Sequence, residues 1–317
     1  MDLAKYRFRF KQFGGLKLVK AFVKVGAFPI LLSEVAKVTF KGRPLKECYP
    51  AIRRKIDPLL EKQYEPLLNE LIEKYKDIII SDEPCKIVWF CWMQGLENAP
   101  ELVKACFKSQ QKYIRNKEFI VISNENYRQY IEFPQYIEDK VRKGIIPYSH
   151  FTDLIRLQLL IKYGGTWIDS TVLCTSGDYP DRVLDCDLFL FQYRNNKQFA
   201  GISNWFITSR KSNKILMILR DMLYQYWKDY DCLMEYYVFH ILFSMIAKHF
   251  PDEIQAMPVG NSLPTLQLAQ QMDKNYNEFW MNDLLKSCNF HKLNYRVTEL
   301  ARQNHNSYYN FIIKKYK

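Results

Sequence analysis

This sequence lacks the cysteine spacing of zinc sites, because no two of its eight cysteines stand in a Cys-x-x-Cys pair. The cysteines are scattered, and several, such as Cys91 and Cys106, lie inside apolar runs. This pattern argues against both a zinc site and a disulfide framework. It predicts buried thiols in a reducing cytoplasm instead.

Long apolar runs are also missing, since no stretch of about 20 uninterrupted apolar residues occurs that would span a bilayer. No cleavable signal peptide, internal repeat, low-complexity segment or interdomain linker is recognisable in the sequence. A length of 317 residues therefore predicts one large domain, or one domain with added elements.

Acidic residues are outnumbered by basic ones, 34 against 46, which gives a formal net charge of +12. This excess favours an anionic partner such as nucleic acid, acidic lipid or a phosphorylated small molecule. The alternative is a basic protein with no charge-driven partner. The excess is concentrated in the first 46 residues, where aromatic and apolar residues alternate with Lys and Arg. Such a segment suits an anionic membrane face, or equally a helix packed on the body with a solvated basic face.

A strand–helix–strand order opens the next part of the chain. A buried strand over residues 86–92 is followed by a helix from Pro100 and a second strand over residues 118–123, which predicts a parallel α/β sheet. Ligands of such sheets lie beyond the carboxyl ends of the strands. Trp92, Gln94 and Gly95 occupy that position, and an indole there can stack on a flat base. A strand tryptophan can equally belong to the core.

The stretch from His150 to Val172 reads as an apolar helix, a Gly-Gly stop and a short buried strand. Asp153 is expected in the first turn of the helix, and Arg156, three residues on, shares its face. Strand alternation places Trp167, Asp169 and Thr171 on one face. Two carboxylates, a guanidinium and an indole are thus predicted to meet near one strand end.

The predicted sheet is completed by two further strands, over residues 188–193 and 202–209. Two long helices, over 214–230 and 233–249, are predicted to pack against it. Within these strands and helices, the polar and aromatic candidates for a site are Asn204, Trp205, Glu235 and His240. A single histidine in a helix is also a common core residue, so that alternative stays open for His240.

The stretch from Phe151 to Thr175 resembles the Ser-Asp-x-x-Arg…Gly-Gly-x-Tyr-x-Asp-x-Asp pattern of sugar-nucleotide glycosyltransferases of family 32. More narrowly, it resembles the capsular polysaccharide synthesis proteins of that family. Ordered blocks over residues 86–106 and 202–206 and at His291-Lys292-Leu293 also fit. The resemblance covers residues 85 to 295. It predicts a glycosyltransferase domain over 81–317, preceded by a basic amphipathic helical region over 1–80.

The resemblance, which extends to the glucosyltransferase domains of large clostridial toxins, implies a GT-A fold. That is an α/β domain with a single mixed, mainly parallel sheet flanked by helices, here with added N-terminal and C-terminal helices. It implies a donor site that includes Gln94 and Gly95, with catalytic roles at Asp153, Arg156, Asp169 and His240. By the same resemblance, Trp92 stacks on the base of the donor and Trp167 lines the nucleotide site. Asp153 contacts the ribose or the sugar, and Arg156 contacts the sugar or the diphosphate. Asn204 and Trp205 complete the donor site.

The metal site implied by the resemblance is incomplete. Asp169 matches the first carboxylate of the Asp-x-Asp motif, which engages a divalent metal on the donor diphosphate, but Thr171 stands where the second aspartate is expected. Mn²⁺ and Mg²⁺ prefer charged oxygen ligands, and a hydroxyl binds them more weakly. Either Asp169 and the diphosphate hold the metal, or the metal is weak or absent and basic residues screen the diphosphate.

The implied activity is retaining transfer of a hexose, galactose or glucose, from a UDP-type sugar nucleotide to a lipid-linked oligosaccharide in capsular or surface polysaccharide synthesis. The protein is then expected in the bacterial cytoplasm, peripheral on the inner face of the plasma membrane through its basic N-terminus. The alternatives are a nucleic-acid-binding basic protein and a non-catalytic relative. Nucleic acid is not the expected partner, because no binding motif accompanies the charge.

Overall fold

The computed structural model describes residues 15–30, 32, 33, 36, 45–193 and 201–317. The chain forms two compact units. The helical unit comprises the described residues up to Ile78, together with Glu132–Leu154 and Lys214–Pro251. The sheet unit comprises Ile79–Ile131, Ile155–Asn213 and Asp252–Lys317. The N-terminal region predicted over 1–80 thus shares its unit with two later segments of the chain.

Helices occur in every part of the chain that the structure describes. They are α1 (Leu16–Lys24), α2 (Leu45–Tyr75), α3 (Glu101–Tyr113), α4 (Tyr127–Tyr130), α5 (Gln135–Arg142), α6 (Tyr148–Tyr163), α7 (Lys214–Asp229), α8 (Val238–His249), α9 (Pro251–Ala256), α10 (Ser262–Thr265), α11 (Glu278–Leu285), α12 (Glu299–Gln303) and α13 (Tyr308–Lys315). Short 3₁₀ turns lie at Leu96–Asn98, Asp181–Val183 and Leu268–Gln270.

Within the described residues, the strands form one five-stranded sheet and one two-stranded sheet. They are β1 (Ile87–Cys91), β2 (Glu118–Ile122), β3 (Gly165–Asp169), β4 (Val172–Cys174), β5 (Leu188–Gln192), β6 (Ile202–Ser209) and β7 (Phe290–Lys292). The larger sheet has the order β2-β1-β3-β6-β5. β1 pairs parallel with β2 and β3, while β6 runs antiparallel to β3 and β5. Four strands therefore share one direction, which confirms the predicted mixed, mainly parallel sheet flanked by helices.

Because side chains alternate along a strand, the two faces of this sheet pack against different helices. On one face Phe90 meets Phe107 of α3 with ring centroids 4.7 Å apart. On the other face Trp89 meets Tyr163 of α6 with centroids 5.6 Å apart. Trp89 is completely buried and belongs to the core. Trp167 lies opposite Trp89 on the parallel neighbour, so β3 presents its odd-numbered side chains toward α6.

The Gly164-Gly165 pair ends α6 as predicted. The Gly164 N–H donates to the Leu160 carbonyl at 2.9 Å, and φ is +68° at Gly164 and +104° at Gly165. The Gly164 carbonyl accepts from the Trp89 indole N–H at 2.8 Å. A Cβ on Gly165 would lie 2.5 Å from the carbonyl oxygen of Ile87, which is sheet backbone. Only glycine allows β1 to approach this turn so closely.

Gly165→Ala is therefore expected to destabilise the protein strongly. A positive φ at a non-glycine residue costs about 1–3 kcal/mol, and the clash with Ile87 adds to this because backbone must move. Urea unfolding measures the loss. Gly144→Ala is the matched control, since Gly144 has φ +65° but an added Cβ there meets nothing within 4 Å. Equal losses in the two variants would contradict the backbone-approach argument.

The two-stranded sheet was not predicted, and it positions one side chain of the site. β4 pairs antiparallel with β7, with Val172 opposite Lys292. The Leu293 N–H donates to the Thr171 carbonyl at 2.9 Å and extends this ladder. His291 points inward, where its Nε2 lies 3.1 Å from the Thr175 hydroxyl. Burial lowers the pKa of His291 to about 4, so the ring is neutral. Alternation sends Lys292 to the opposite side.

The helical unit is held by polar contacts between α2 and α7 as well as by its apolar core. The Tyr75 hydroxyl donates to Asp221 at 2.6 Å, and the Tyr64 hydroxyl donates to Asp229 at 3.1 Å. The predicted helix over 233–249 begins only at Val238, because the residues before it form turns. No helix among the described residues has the length and apolar content needed to cross a bilayer.

Helix α1 has both a packed and an exposed side. Ala21 and Phe22 are buried, and the Lys24 ammonium lies 3.7 Å from the Asp229 carboxylate. Leu16 and Val23 are 76% and 57% exposed, beside exposed lysines. The aromatic and basic alternation of residues 6–13 lies outside the described residues.

The thiols follow the sequence prediction. Seven cysteines have a described side chain; all seven are free thiols, and five of them are buried. Burial raises the pKa of the thiol, for example to about 12 at Cys91 and Cys106, so these groups stay protonated.

Candidate functional site

The candidate site begins where two parallel strands end side by side. β1 and β3 are neighbours, with Cys91 in register with Asp169. Trp92 follows β1 and Asp169 closes β3, so both lie at the carboxyl edge of the sheet. This is the edge at which ligands of open α/β sheets bind. The strand ends for which the sequence predicts site residues therefore lie side by side at this edge.

Asp169 is the centre of a polar cluster in the sheet unit. Its Oδ1 accepts from the Trp167 indole N–H at 2.9 Å and from the Arg156 guanidinium at 3.3 Å. Its Oδ2 accepts from the Lys292 ammonium at 2.9 Å. Both oxygens of the carboxylate are thus held by charged or polar donors, and its orientation is fixed before any ligand arrives.

Arg156 is only 4% exposed, and its charge is balanced by neighbours in the sheet unit. One guanidinium nitrogen donates to the backbone carbonyl of Asn204, and the group lies over the Trp167 ring at 4.9 Å from its centroid. Asn204 therefore takes part through its backbone. A planar guanidinium held in this way is fixed in orientation before a ligand binds.

Lys292 is the residue of the cluster to which the sequence assigned no role. Its ammonium donates to the Thr171 hydroxyl at 2.6 Å as well as to Asp169. Thr171 lies in the turn between β3 and β4, not on one continuous strand with Asp169 as predicted. The sequence did contain a signal, because His291-Lys292-Leu293 fits the family pattern. The pairing of β4 with β7 across more than 100 residues could not be predicted from it.

The electrostatics of the cluster favour an anion. Burial raises the pKa of the Asp169 carboxyl, but Lys292 and Arg156 outweigh it and hold the pKa below its ordinary value. Two cations, Lys292 and Arg156, therefore face the Asp169 carboxylate. The Asp169 and Lys292 side chains are 22% and 25% exposed, so a ligand can reach them.

These residues do not fit the metal site implied by the resemblance. Asp169 is the single carboxylate of the cluster, and the described residues contain no group of three or more His, Cys, Asp or Glu placed to hold a metal ion. The Lys292 ammonium bridges the two side chains, Asp169 and Thr171, that would be the metal ligands. Mg²⁺ and Mn²⁺ need several oxygen ligands, whereas this arrangement brings a second cation to the same oxygens.

An aromatic pair flanks the charged cluster. The Trp92 ring meets Tyr295 edge to face, with centroids 5.3 Å apart, and its indole nitrogen is buried with no acceptor among the described residues. Tyr295 follows β7 by three residues and was not predicted. Gly95 adopts φ +84° and its N–H donates to the Trp92 carbonyl at 2.9 Å, while Gln94 is exposed.

Trp205 has surroundings that differ from those of Trp92. It is 5% exposed and stacks on Phe191 with centroids 4.6 Å apart, in an apolar cluster that includes Phe206. The structure thus gives Trp205 core contacts, and its role in donor binding stays a prediction.

The remaining candidates, Asp153, Glu235 and His240, belong to the helical unit. Asp153 is buried, with its Oδ2 3.9 Å from His150 Nδ1. It lies in the second turn of α6, because this helix begins at Tyr148, earlier than predicted. His240 is buried in α8 and makes edge contacts with Tyr237 and Phe239. Glu235 accepts from the Tyr237 N–H at 2.9 Å.

Comparison with known families decides the classification. The family model described as capsular polysaccharide synthesis protein matches residues 38–312, which is most of the chain and includes every residue of the cluster. The chain is a member of the capsular polysaccharide synthesis protein family. The resemblance inferred from the sequence is thereby confirmed.

Two further proteins resemble this capsular polysaccharide synthesis protein. O-glycosyltransferase PaGT of Phomopsis amygdali is 25% identical over 159 residues, a match that covers 45% of this chain and 39% of PaGT. The chain thus spans about two fifths of the length of that relative. Among solved structures, the PaToxG glycosyltransferase is similar with 13% identity and a TM-score of 0.38, over 83% of this chain and 98% of that one.

Proposed function

We propose that this capsular polysaccharide synthesis protein is a retaining glycosyltransferase that moves a hexose from a sugar nucleotide to a lipid-linked oligosaccharide. The observation that carries the proposal is the cluster of Asp169, Arg156, Trp167 and Lys292 at the carboxyl edge of the sheet. It combines two cationic side chains with an adjacent aromatic side chain, Trp92. A nucleoside diphosphate offers the matching parts, namely an anionic diphosphate and a flat base.

The chemistry needs what these residues supply. Glycosyl transfer passes through an oxocarbenium-like state while negative charge grows on the departing diphosphate. Positive groups fixed beforehand near that charge stabilise the transition state more than the ground state. Arg156 is such a group, because its contacts to Asn204 and Asp169 hold it in place. Asp169 in turn holds the cations and, by likeness to the family, contacts the ribose.

The donor that we favour is a UDP-hexose, with glucose or galactose as the sugar. Trp92 offers a face for the base, and the similar protein PaGT is described as an O-glycosyltransferase. The direct test is a thermal-shift screen of sugar nucleotides with and without Mn²⁺, because a bound donor raises the apparent stability. Turnover of the donor that binds is then measured. If no sugar nucleotide binds or turns over under either condition, the proposal is wrong, and salt-sensitive binding of oligonucleotides would favour the nucleic-acid alternative.

The acceptor that we propose is linked to a lipid, which places the protein at the cytoplasmic face of the membrane. The support is helix α1, in which exposed Leu16 and Val23 stand among exposed lysines. Apolar side chains can enter the headgroup region while lysines contact anionic lipid. The packing of Ala21 and Phe22 is compatible with this, because it uses the other side of the helix.

Leu16→Glu combined with Val23→Glu is expected to lower association with anionic liposomes several-fold, because it inserts charge into the membrane-facing side and leaves the packed side intact. Cosedimentation with vesicles of phosphatidylglycerol and phosphatidylcholine measures it. Phe279→Glu is the matched control, since Phe279 is a similarly exposed apolar residue, 87% accessible, in α11. Equal sedimentation of both variants and the unmodified protein would favour α1 as scaffold only.

A further inference from the structure

The Lys292 ammonium occupies the place between the two positions of the implied metal motif. It lies 2.9 Å from Asp169 Oδ2 and 2.6 Å from Thr171 Oγ1, both hydrogen-bonding distances. The residue that departs from the motif, Thr171, is the one that accepts the shorter bond. A hydroxyl can accept from an ammonium without adding charge, so threonine at this position suits a lysine partner.

Geometry leaves the ammonium able to bind a ligand. An ammonium has three N–H donors, and two are used by Asp169 and Thr171. Among the residues that the structure describes, no third acceptor lies within hydrogen-bonding distance of Lys292. The side chain is 25% exposed at the carboxyl edge of the sheet. Its third N–H is therefore available to an anion that reaches this edge of the sheet.

Charge leads to the same conclusion. Lys292 and Arg156 both lie beside Asp169, so two cations already contact its carboxylate. A divalent cation added at the same oxygens would be repelled by the ammonium, since close charges interact strongly where solvent is partly excluded. The backbone ladder of β4 with β7 holds Lys292 in this position, so the ammonium is a built part of the site.

We propose that Lys292 takes the part of the divalent cation and neutralises the donor diphosphate directly, so that donor binding and transfer need no metal. This inference rests on the proposed glycosyltransferase function. In the step, the bond from the anomeric carbon to the diphosphate oxygen breaks and its electron pair stays on that oxygen. The acceptor oxygen forms the new bond to the anomeric carbon, and its proton passes to the departing diphosphate. The third N–H of Lys292 and the Arg156 guanidinium contact the oxygens on which charge develops.

Calorimetric titration of the full chain with UDP, GDP and the corresponding nucleosides, in EDTA and in Mn²⁺, tests the proposal. We expect one nucleoside diphosphate to bind in EDTA with an affinity that Mn²⁺ changes little. Lys292→Met is expected to lower that affinity by roughly ten- to a hundredfold, because a charge-assisted hydrogen bond is lost. Binding of the nucleoside, which has no diphosphate, stays unchanged. Lys286→Met is the matched control, since the Lys286 side chain is 78% exposed.

A second test looks for a variant in which binding of the diphosphate comes to require a metal ion, so it does not depend on loss of binding. Lys292→Asp gives Asp169 a second carboxylate in place of the ammonium, and this variant is expected to bind the diphosphate only when Mn²⁺ is present. Two results would overturn the proposal while leaving the glycosyltransferase function standing. One is binding by the unmodified protein that EDTA abolishes, and the other is an unchanged affinity in folded Lys292→Met. Failure of every nucleoside diphosphate and sugar nucleotide to bind, with and without Mn²⁺, would overturn both.

Discussion

Asp169→Asn is expected to lower glycosyl transfer by roughly a hundred- to a thousandfold, the loss typical when a pre-organised electrostatic contact is removed. The carboxylate holds the Lys292 ammonium at 2.9 Å and the Arg156 guanidinium at 3.3 Å. Asparagine keeps the shape but removes the charge, so the two cations repel each other without a counter-charge. Steady-state rates with the donor found by the screen measure the effect.

The fold of this variant is expected to survive, because Asp169 lies at the end of a strand and its side chain is 22% exposed. Circular dichroism and a thermal melt check this point. Asp283→Asn is the matched control, since its carboxylate is 82% exposed on α11. Transfer at a near-normal rate by folded Asp169→Asn would remove Asp169 from the site, whereas loss of activity in both variants would point to a nonspecific effect.

Trp92→Ala is expected to weaken the binding of the donor nucleotide by about 5- to 150-fold, which corresponds to about 1–3 kcal/mol of base stacking. Trp92 stands at the carboxyl end of β1, where it packs against the apolar cluster around Phe90 and Phe107 and meets Tyr295 edge to face. Its side chain is half-buried, so part of the ring is accessible. A face of the indole can therefore serve a base. Titration with the nucleoside diphosphate and the matching nucleoside measures the loss, which should be the same for both.

Two comparisons separate stacking from a structural role of Trp92. Trp92→Phe keeps an aromatic face and is expected to retain most of the affinity. Inorganic pyrophosphate has no base, so any binding of pyrophosphate should be unaffected by Trp92→Ala. If Trp92→Phe is as damaging as Trp92→Ala, or if pyrophosphate binding falls equally, the indole supports the site without contacting the base.

The sequence determined the local elements well, because their signals are local. Helix α6, the left-handed turn at Gly164 and the short strand β3 follow from apolar spacing and from the conformational freedom of glycine. β6 covers Ile202–Ser209 as predicted. The helix over 233–249 was predicted too long at its start, since apolar content alone does not distinguish a buried turn from a helix.

Part of the candidate site could also be predicted from the sequence. Arg156, Trp167 and Asp169 were predicted to converge, and they form one hydrogen-bonded cluster. The convergence could be predicted because these residues are close in sequence and a helix, a turn and a strand relate them. Asn204 was predicted by its type, yet its contribution is a backbone carbonyl, which any residue offers.

What only the tertiary structure decided is the partner of Asp169 and Thr171. Lys292 reaches them because β7 pairs with β4, a contact between segments separated by more than 100 residues. A pairing of that kind depends on register, and a shift of one residue would place His291 in the site and bury Lys292. The sequence by itself identified the family, the sheet edge and the missing second carboxylate. The fold alone placed an ammonium between Asp169 and Thr171, because strand pairing is not encoded in local spacing.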